Sequence, residues 1–140
     1  MKHRKIGSSY VVSIERGDEI VASLRDLCEK EGITLASVSG IGAAQQIELG
    51  YYNVEQRQYS TRTFEAEHEI TALVGSVTAM NSEVYLHLHM TIGDKTFTAY
   101  AGHLVKATVS GACEIIIHAI DGTVDRYKDE DVTGLNLLKL

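Results

Sequence analysis

The stretch that decides the fold reads Val84-Tyr-Leu-His-Leu-His-Met-Thr-Ile92, then Gly93-Asp-Lys95, then Thr96-Phe-Thr-Ala-Tyr-Ala-Gly-His-Leu-Val105. Side chains alternate between the faces of a strand, so His87 and His89 project side by side while Leu88 faces the other way. Gly93-Asp94-Lys95 predicts a hairpin turn, with the run from Thr96 as the returning strand. A three-residue loop closed by Ile92 and Thr96 sets Tyr85 opposite His103 and His87 opposite Ala101. All three imidazoles then share one face, with His103 diagonal to His87. A two-residue Gly-Asp loop sends His103 to the far face, unless a bulge at Ala101-Gly102 restores the parity. Where the imidazoles meet, three neutral nitrogen donors form the minimum set for an open divalent-metal site. The competing reading is that a His-x-His pair on a strand is simply solvent-facing or satisfied by its neighbours. Cys28 and Cys113 form no Cys-x-x-Cys pattern and add nothing to a ligand set.

Outward from this hairpin the chain alternates strand signals with a single helix. Tyr10 to Ile14 predicts an opening strand, and Glu15-Arg16-Gly17-Asp18 a turn. Asp18 is the expected N-cap of a helix from Glu19 to about Glu31, with Ile20, Leu24, Leu27 and Cys28 as its apolar stripe and Gly32 as its C-terminal cap. Ile33 to Ser39 predicts a second strand. The Gly40-Ile41-Gly42 that follows does not carry a dinucleotide fingerprint, because Gln46-Ile-Glu-Leu-Gly-Tyr-Tyr52 continues as a strand and not as a helix. These glycines are assigned to a sharp turn between strands. Gln56 to Phe64 predicts a polar edge strand, Glu69 to Thr78 a central one, and Asn81-Ser82 the turn into the histidine hairpin. Lys106 to Ile120 reads as a β-branched run, broken into two strands at Ser110-Gly111. One helix against many strands makes an α+β fold on an antiparallel or mixed sheet.

With 140 residues the chain is expected to form one domain, residues 1–140, with its core at about residues 9–128 and a tail from 129 to 140. The tail ends in leucines that need cover, from this core or from a neighbouring subunit. The two cysteines and the absence of an apolar signal core point to the cytoplasm, and no apolar run reaches the length of a membrane span. Net charge is −6, which disfavours DNA, where affinity rests on lysine and arginine neutralising phosphates. The basic cluster Lys2-His3-Arg4-Lys5 is read as a frayed, solvated terminus.

The order of the motifs resembles a known family, the plant and prokaryote conserved domain, formerly a domain of unknown function. The matching residues are Glu15-Arg16-Gly17-Asp18-Glu19, Val38-Ser39-Gly40-Ile41-Gly42, Tyr51-Tyr52, His68-Glu69-Ile70 with Gly75, Leu86-His87-Leu88-His89-Met90, Asp94, Gly102-His103-Leu104 and Glu114-Ile115-Ile116. The likeness runs from about residue 9 to 120. It implies a compact α+β domain that forms homotrimers, and stand-alone prokaryotic members in which the histidines matching His87, His89 and His103 hold a metal, zinc foremost. In plants the domain is joined to AT-hook motifs that contact DNA while the domain itself mediates self-association and partner binding. This chain has no AT-hook, so direct DNA binding is not expected of it. Ala101 stands where the family more often has glycine, a change that matters only if the backbone there needs a positive φ.

Two functions therefore compete. The first is a trimeric metal-binding domain with a regulatory or interaction role, engaging a protein partner or a small molecule at the metal site. The second is a hydrolase-like enzyme using zinc-bound water, with Glu69 or Glu114 as general base. Against the second stands the reading of either glutamate as a buried partner of Arg16 or another basic group, and of Glu114 as paired with His118 on its own strand face.

Overall fold

Alternating apolar residues through most of the chain commit it to strands, and the computed structural model, which describes residues 1–140, has nine of them and one helix. In chain order they are β1 (Lys2–Ile6), β2 (Ser9–Ile14), α1 (Ile20–Glu31), β3 (Ala36–Asn53), β4 (Gln58–Phe64), β5 (His68–Met80), β6 (Glu83–Gly93), β7 (Ala99–Ala119), β8 (Asp125–Lys128) and β9 (Asn136–Lys139). The sheet runs β1-β2-β7-β3-β5-β8-β9, with β4 attached to β3 and β6 bridging β5 and β7. Every pairing between these strands is antiparallel except a single parallel contact, Ala79 with Asp125. The fold is thus α+β on a mixed sheet. Because β6 pairs with both β5 and β7, the path β7-β3-β5-β6 returns to β7 and closes on itself.

The inward faces of these strands and the apolar stripe of α1 form one core, in which Ile20, Leu24, Leu27, Leu73, Leu88, Ile92 and Ile117 are at most 1% exposed. Full burial of such side chains stabilises by about 1.5–3 kcal/mol each. No helix is long and apolar enough to cross a membrane.

Several expectations are corrected. The helix begins one residue late, and its cap is Glu19 and not Asp18. The Glu19 carboxylate accepts from the backbone N–H groups of Val21 and Ala22, and also from Ala107 on β7 at 3.0 Å, tying the helix start to the sheet. Asp18 instead receives the terminal amine of Met1 at 2.8 Å. Gly32 caps the other end with φ 67°. Gly40-Ile41-Gly42 is no turn: β3 runs straight through it, with an irregular register on both sides. The glycines answer to closeness, since a Cβ on Gly40 would lie 2.8 Å from the carbonyl oxygen of Glu114. The expected break at Ser110-Gly111 is likewise a bulge within one long strand, where Ala44 pairs with Val109 and Gly42 with Cys113. The basic terminus is not frayed but forms β1, an edge strand paired with β2 whose side chains are all exposed.

Candidate metal centre

Register is what brings the histidines together. β6 and β7 pair as His89 with His103, Met90 with Gly102 and Ile92 with Tyr100. The connecting loop is five residues, Asp94 to Thr98, and not two or three. Its length follows from Asp94, whose carboxylate gathers the N–H groups of Thr96 at 2.8 Å and Thr98 at 3.1 Å, while Phe97 takes φ 63°. An odd loop keeps the parity, so no bulge is needed between β6 and β7, and His103 sits opposite His89, not Tyr85. Gly102 is needed for proximity, because a Cβ there would lie 2.8 Å from the carbonyl oxygen of Gly50 on β3. Ala101 does not have a positive φ, so its replacement of a glycine is accommodated.

His87, His89 and His103 form one triangle, with ring centroids 5.2, 5.5 and 5.6 Å apart. One nitrogen from each lies within 4.8 Å of the others. Zinc–imidazole bonds of about 2.0–2.1 Å would draw those nitrogens closer than that. Nδ1 of His103 is buried with no hydrogen-bond partner, an orphaned nitrogen beside two further imidazoles. Burial, then the charge of Arg126, lowers the pKa of His87. Burial, then His89, does the same for His103. Both shifts favour the neutral form that a metal requires. An all-nitrogen set suits zinc, copper, nickel or iron and not calcium or magnesium. The residues fit a divalent transition metal.

The triangle opens into a cleft of about 770 Å³. Tyr52 on β3, Tyr59 on β4 and Tyr85 on β6 wall it with aromatic rings, and the C-terminal hairpin β8–β9 closes one side with Arg126, Asn136 and Leu137. The Tyr59 ring lies 5.9 Å from His103 and 4.8 Å from Tyr52. Leu135 and Leu137 thus find cover in this cleft, whereas Leu138 and Leu140 remain exposed. Sequence reasoning missed these walls. Tyr85 was within its reach, being two residues before His87 on the same strand face; nothing near Arg126 marks it as a neighbour of the histidines.

Neither proposed general base is here. Glu69 pairs with Gly93 while His89 pairs with Val74, a displacement of five residues, or roughly 16 Å along the strands. Glu114 lies on β7, which at that level is separated from β6 by β3 and β5, roughly 14 Å at sheet spacing. Both side chains are exposed, so neither is a buried ion-pair partner, and His118 meets Ser9 at 3.1 Å and not Glu114. The remaining histidines are occupied elsewhere: His68 contacts the carbonyl of Ala66 at 2.8 Å, and His3 faces Glu31 at 3.6 Å.

Known proteins share this architecture. A crystal structure from Bacteroides thetaiotaomicron, provisionally named a DNA-binding protein, is 38% identical, with TM-score 0.96 over 99% of this chain and 96% of that one. A metal-containing protein from Archaeoglobus fulgidus is 31% identical, with TM-score 0.89 over 97% of this chain and 96% of that one. A plant- and prokaryote-conserved protein from Pyrococcus horikoshii is 26% identical, with TM-score 0.84 over the same shares. No match was found among functionally curated proteins. The family profile of the Plants and Prokaryotes Conserved (PCC) domain matches residues 1–121, and the chain belongs to that family.

Proposed function

We propose that His87, His89 and His103 bind one divalent transition metal per chain, zinc foremost, in a homotrimeric domain with a regulatory or interaction role. The observation that carries the metal reading is the convergence of three imidazoles on one face, with Nδ1 of His103 buried and unpartnered. The Archaeoglobus relative, described as metal-containing, supports it. His87, His89 and His103 would hold the metal, which when bound would supply Lewis-acid polarisation to a water or ligand beside it. The chain's own residues orient that ligand: the tyrosines and the C-terminal hairpin limit its approach and shape the space it enters. Two buried, unpaired cysteines suit the reducing cytoplasm. The test is elemental analysis after zinc loading and desalting. Wild type should carry one zinc per chain, and His87→Ala, His89→Ala and His103→Ala should each lose it; equal content in all four rejects the site.

The trimer reading draws on an apolar row across the sheet. Val11 pairs with Ile116, Ile116 with Ser39, Ser39 with Val74 and Val74 with His89. Val11, Ile116 and Val74 are 45, 43 and 51% exposed, and nearby Ile41 is 57% exposed. An exposed apolar row of this kind suits burial against a neighbouring copy, and in a three-fold ring it would meet a different patch on the next subunit. Light scattering should give three times the chain mass, and a monomeric mass at micromolar concentration rejects it.

A further inference from the structure

We propose that the cleft beside the three histidines binds a small organic carboxylate, with Arg126 as its charged anchor. The proposal rests on the metal-site reading, because the imidazoles form part of the same cleft.

Arg126 is the observation that points to a ligand. Its guanidinium is half-buried, stacked 4.7 Å over the Tyr85 ring. Nε donates to Thr78 Oγ1 at 2.8 Å and Nη1 to the carbonyl of Asn136 at 2.7 Å. These contacts fix the plane of the group but satisfy only part of it, and Nη2 has no partner within the chain. No carboxylate lies within ion-pair distance of it, in a chain with 19 acidic and 13 basic residues. The cleft itself is lined by no aspartate or glutamate. Arg57 shows the contrast: its guanidinium is spent on the carbonyl oxygens of Glu130, Asp131 and Val132 and holds a loop. A half-buried cation with free donors and without a counter-ion is matched by an anion from outside.

The lining narrows the class. Arg126 is the cleft's only permanently charged side chain and no lysine joins it, so in the zinc-free protein a doubly charged phosphate meets a single cation. A planar carboxylate matches the free edge of a guanidinium. Tyr52, Tyr59, Leu135 and Leu137 offer apolar and aromatic surface for the body of the molecule. The volume falls within the roughly 300–1,000 Å³ of small-molecule sites.

The test is calorimetric titration of the full-length protein, zinc-loaded and chelator-treated, with benzoate, the neutral benzamide and inorganic phosphate. Zinc content is measured on every sample. Benzoate should bind chelator-treated wild type about tenfold or more tighter than benzamide or phosphate. Arg126→Gln should remove that preference while the zinc content of the loaded protein stays that of wild type, and Arg126→Lys should restore part of it. Equal binding of benzoate and benzamide, preference for phosphate, no benzoate binding at millimolar concentration, or a preference untouched by Arg126→Gln overturns the proposal. Should Arg126→Gln fail to fold, the benzoate-to-benzamide ratio on wild type decides alone. Zinc bound in the absence of any benzoate preference sinks this proposal and spares the metal site. An Arg126-dependent benzoate preference in protein that takes up no zinc does the reverse.

Discussion

β6 presents two faces built from alternate residues of one segment, and they do opposite things. Leu88, Met90 and Ile92 point inward and are at most 1% exposed, packed in the core with α1 and the neighbouring strands. Tyr85, His87 and His89 point outward into the cleft. Inner-face side chains are held by close packing, where any change of volume is felt. Outer-face side chains have space on one side; the Tyr85 hydroxyl accepts from Asn136 Nδ2 at 3.2 Å, while the His87 and His89 rings make no hydrogen bond within the chain. The contrast teaches that the site adds little to the fold and the fold adds only position to the site. Substitutions one residue apart should therefore separate stability from binding.

The largest effect on stability is expected at Leu88. Leu88→Ala removes a side chain that is 1% exposed and should cost about 2–5 kcal/mol, read as a lower midpoint in urea denaturation. The protein that remains folded should still bind zinc, because the backbone register of β6 is unchanged. A loss below about 1 kcal/mol shows that the inner face is looser than its burial indicates.

Next in size is the neighbouring position. His87→Ala should weaken zinc binding about 100-fold or more, beyond the loss that follows removal of an outer-shell partner. The same substitution should move the stability of the zinc-free protein by no more than about 0.5 kcal/mol, as for other surface positions. A drop comparable with that of Leu88→Ala makes His87 a packing residue and erases the contrast between the faces.

The third prediction concerns pH and the outer face alone. In the folded chain the pKa values of His87 and His103 lie below the ordinary 6.5, chiefly through burial. Below that value the unfolded chain binds more protons than the folded one, so the stability these groups contribute is present above it and declines as pH falls through their folded values. Zinc occupancy should persist somewhat below pH 6.5 for the same reason, since two of the three donors resist protonation. Denaturation of zinc-free protein at about pH 7.5 and 5.5 measures the decline, and His87→Ala combined with His103→Ala should flatten it. An unchanged slope in the double variant places the titrating groups elsewhere.

Periodicity made the inner face legible. Strand alternation, the helix stripe and the Gly32 cap depend on neighbours a few residues apart, and all hold in the structure. The shared face of His87 and His89 was legible by parity, but the face and partner of His103 stayed open, because the loop length was set by the side chain of Asp94. Local signals misled at Gly40-Ile41-Gly42, where glycines that resemble a turn instead allow β3 to approach β7, and at Ser110-Gly111, which is a bulge within one strand. Glu69 and Glu114 looked suitable as bases by strand context alone, and register placed both far from the histidines. Arg126 was illegible because it reaches the cleft through a hairpin far away in sequence, whose docking no local pattern encodes.

The smallest effect is expected on DNA, and it tests whether any outward surface of this chain resembles a nucleic-acid binder. The basic cluster lies on β1, an edge strand reached through β2 from residues 113–118 of β7, whereas β6 pairs with residues 99–103 of that strand. Part of its charge is already answered: Lys2 pairs with Glu15 at 2.7 Å, and Lys5 lies 5.3 Å over the ring of Tyr10. Arg4 and the two lysines allow about three phosphate contacts at most, and the net charge of −6 opposes them. Duplex DNA should then bind no tighter than about 10⁻⁴–10⁻⁶ M at physiological salt, with a log–log salt slope of about −3 or shallower, since each contact adds about −0.9. Zinc loading should change this little, because the histidines and β1 lie at separate places on the sheet. Lys2→Ala with Arg4→Ala and Lys5→Ala should abolish what binding there is, irrespective of sequence. Nanomolar, sequence-dependent retardation at that salt, or retardation that requires zinc and the three histidines, would move nucleic-acid recognition onto the outer face of β6 and overturn the division drawn here.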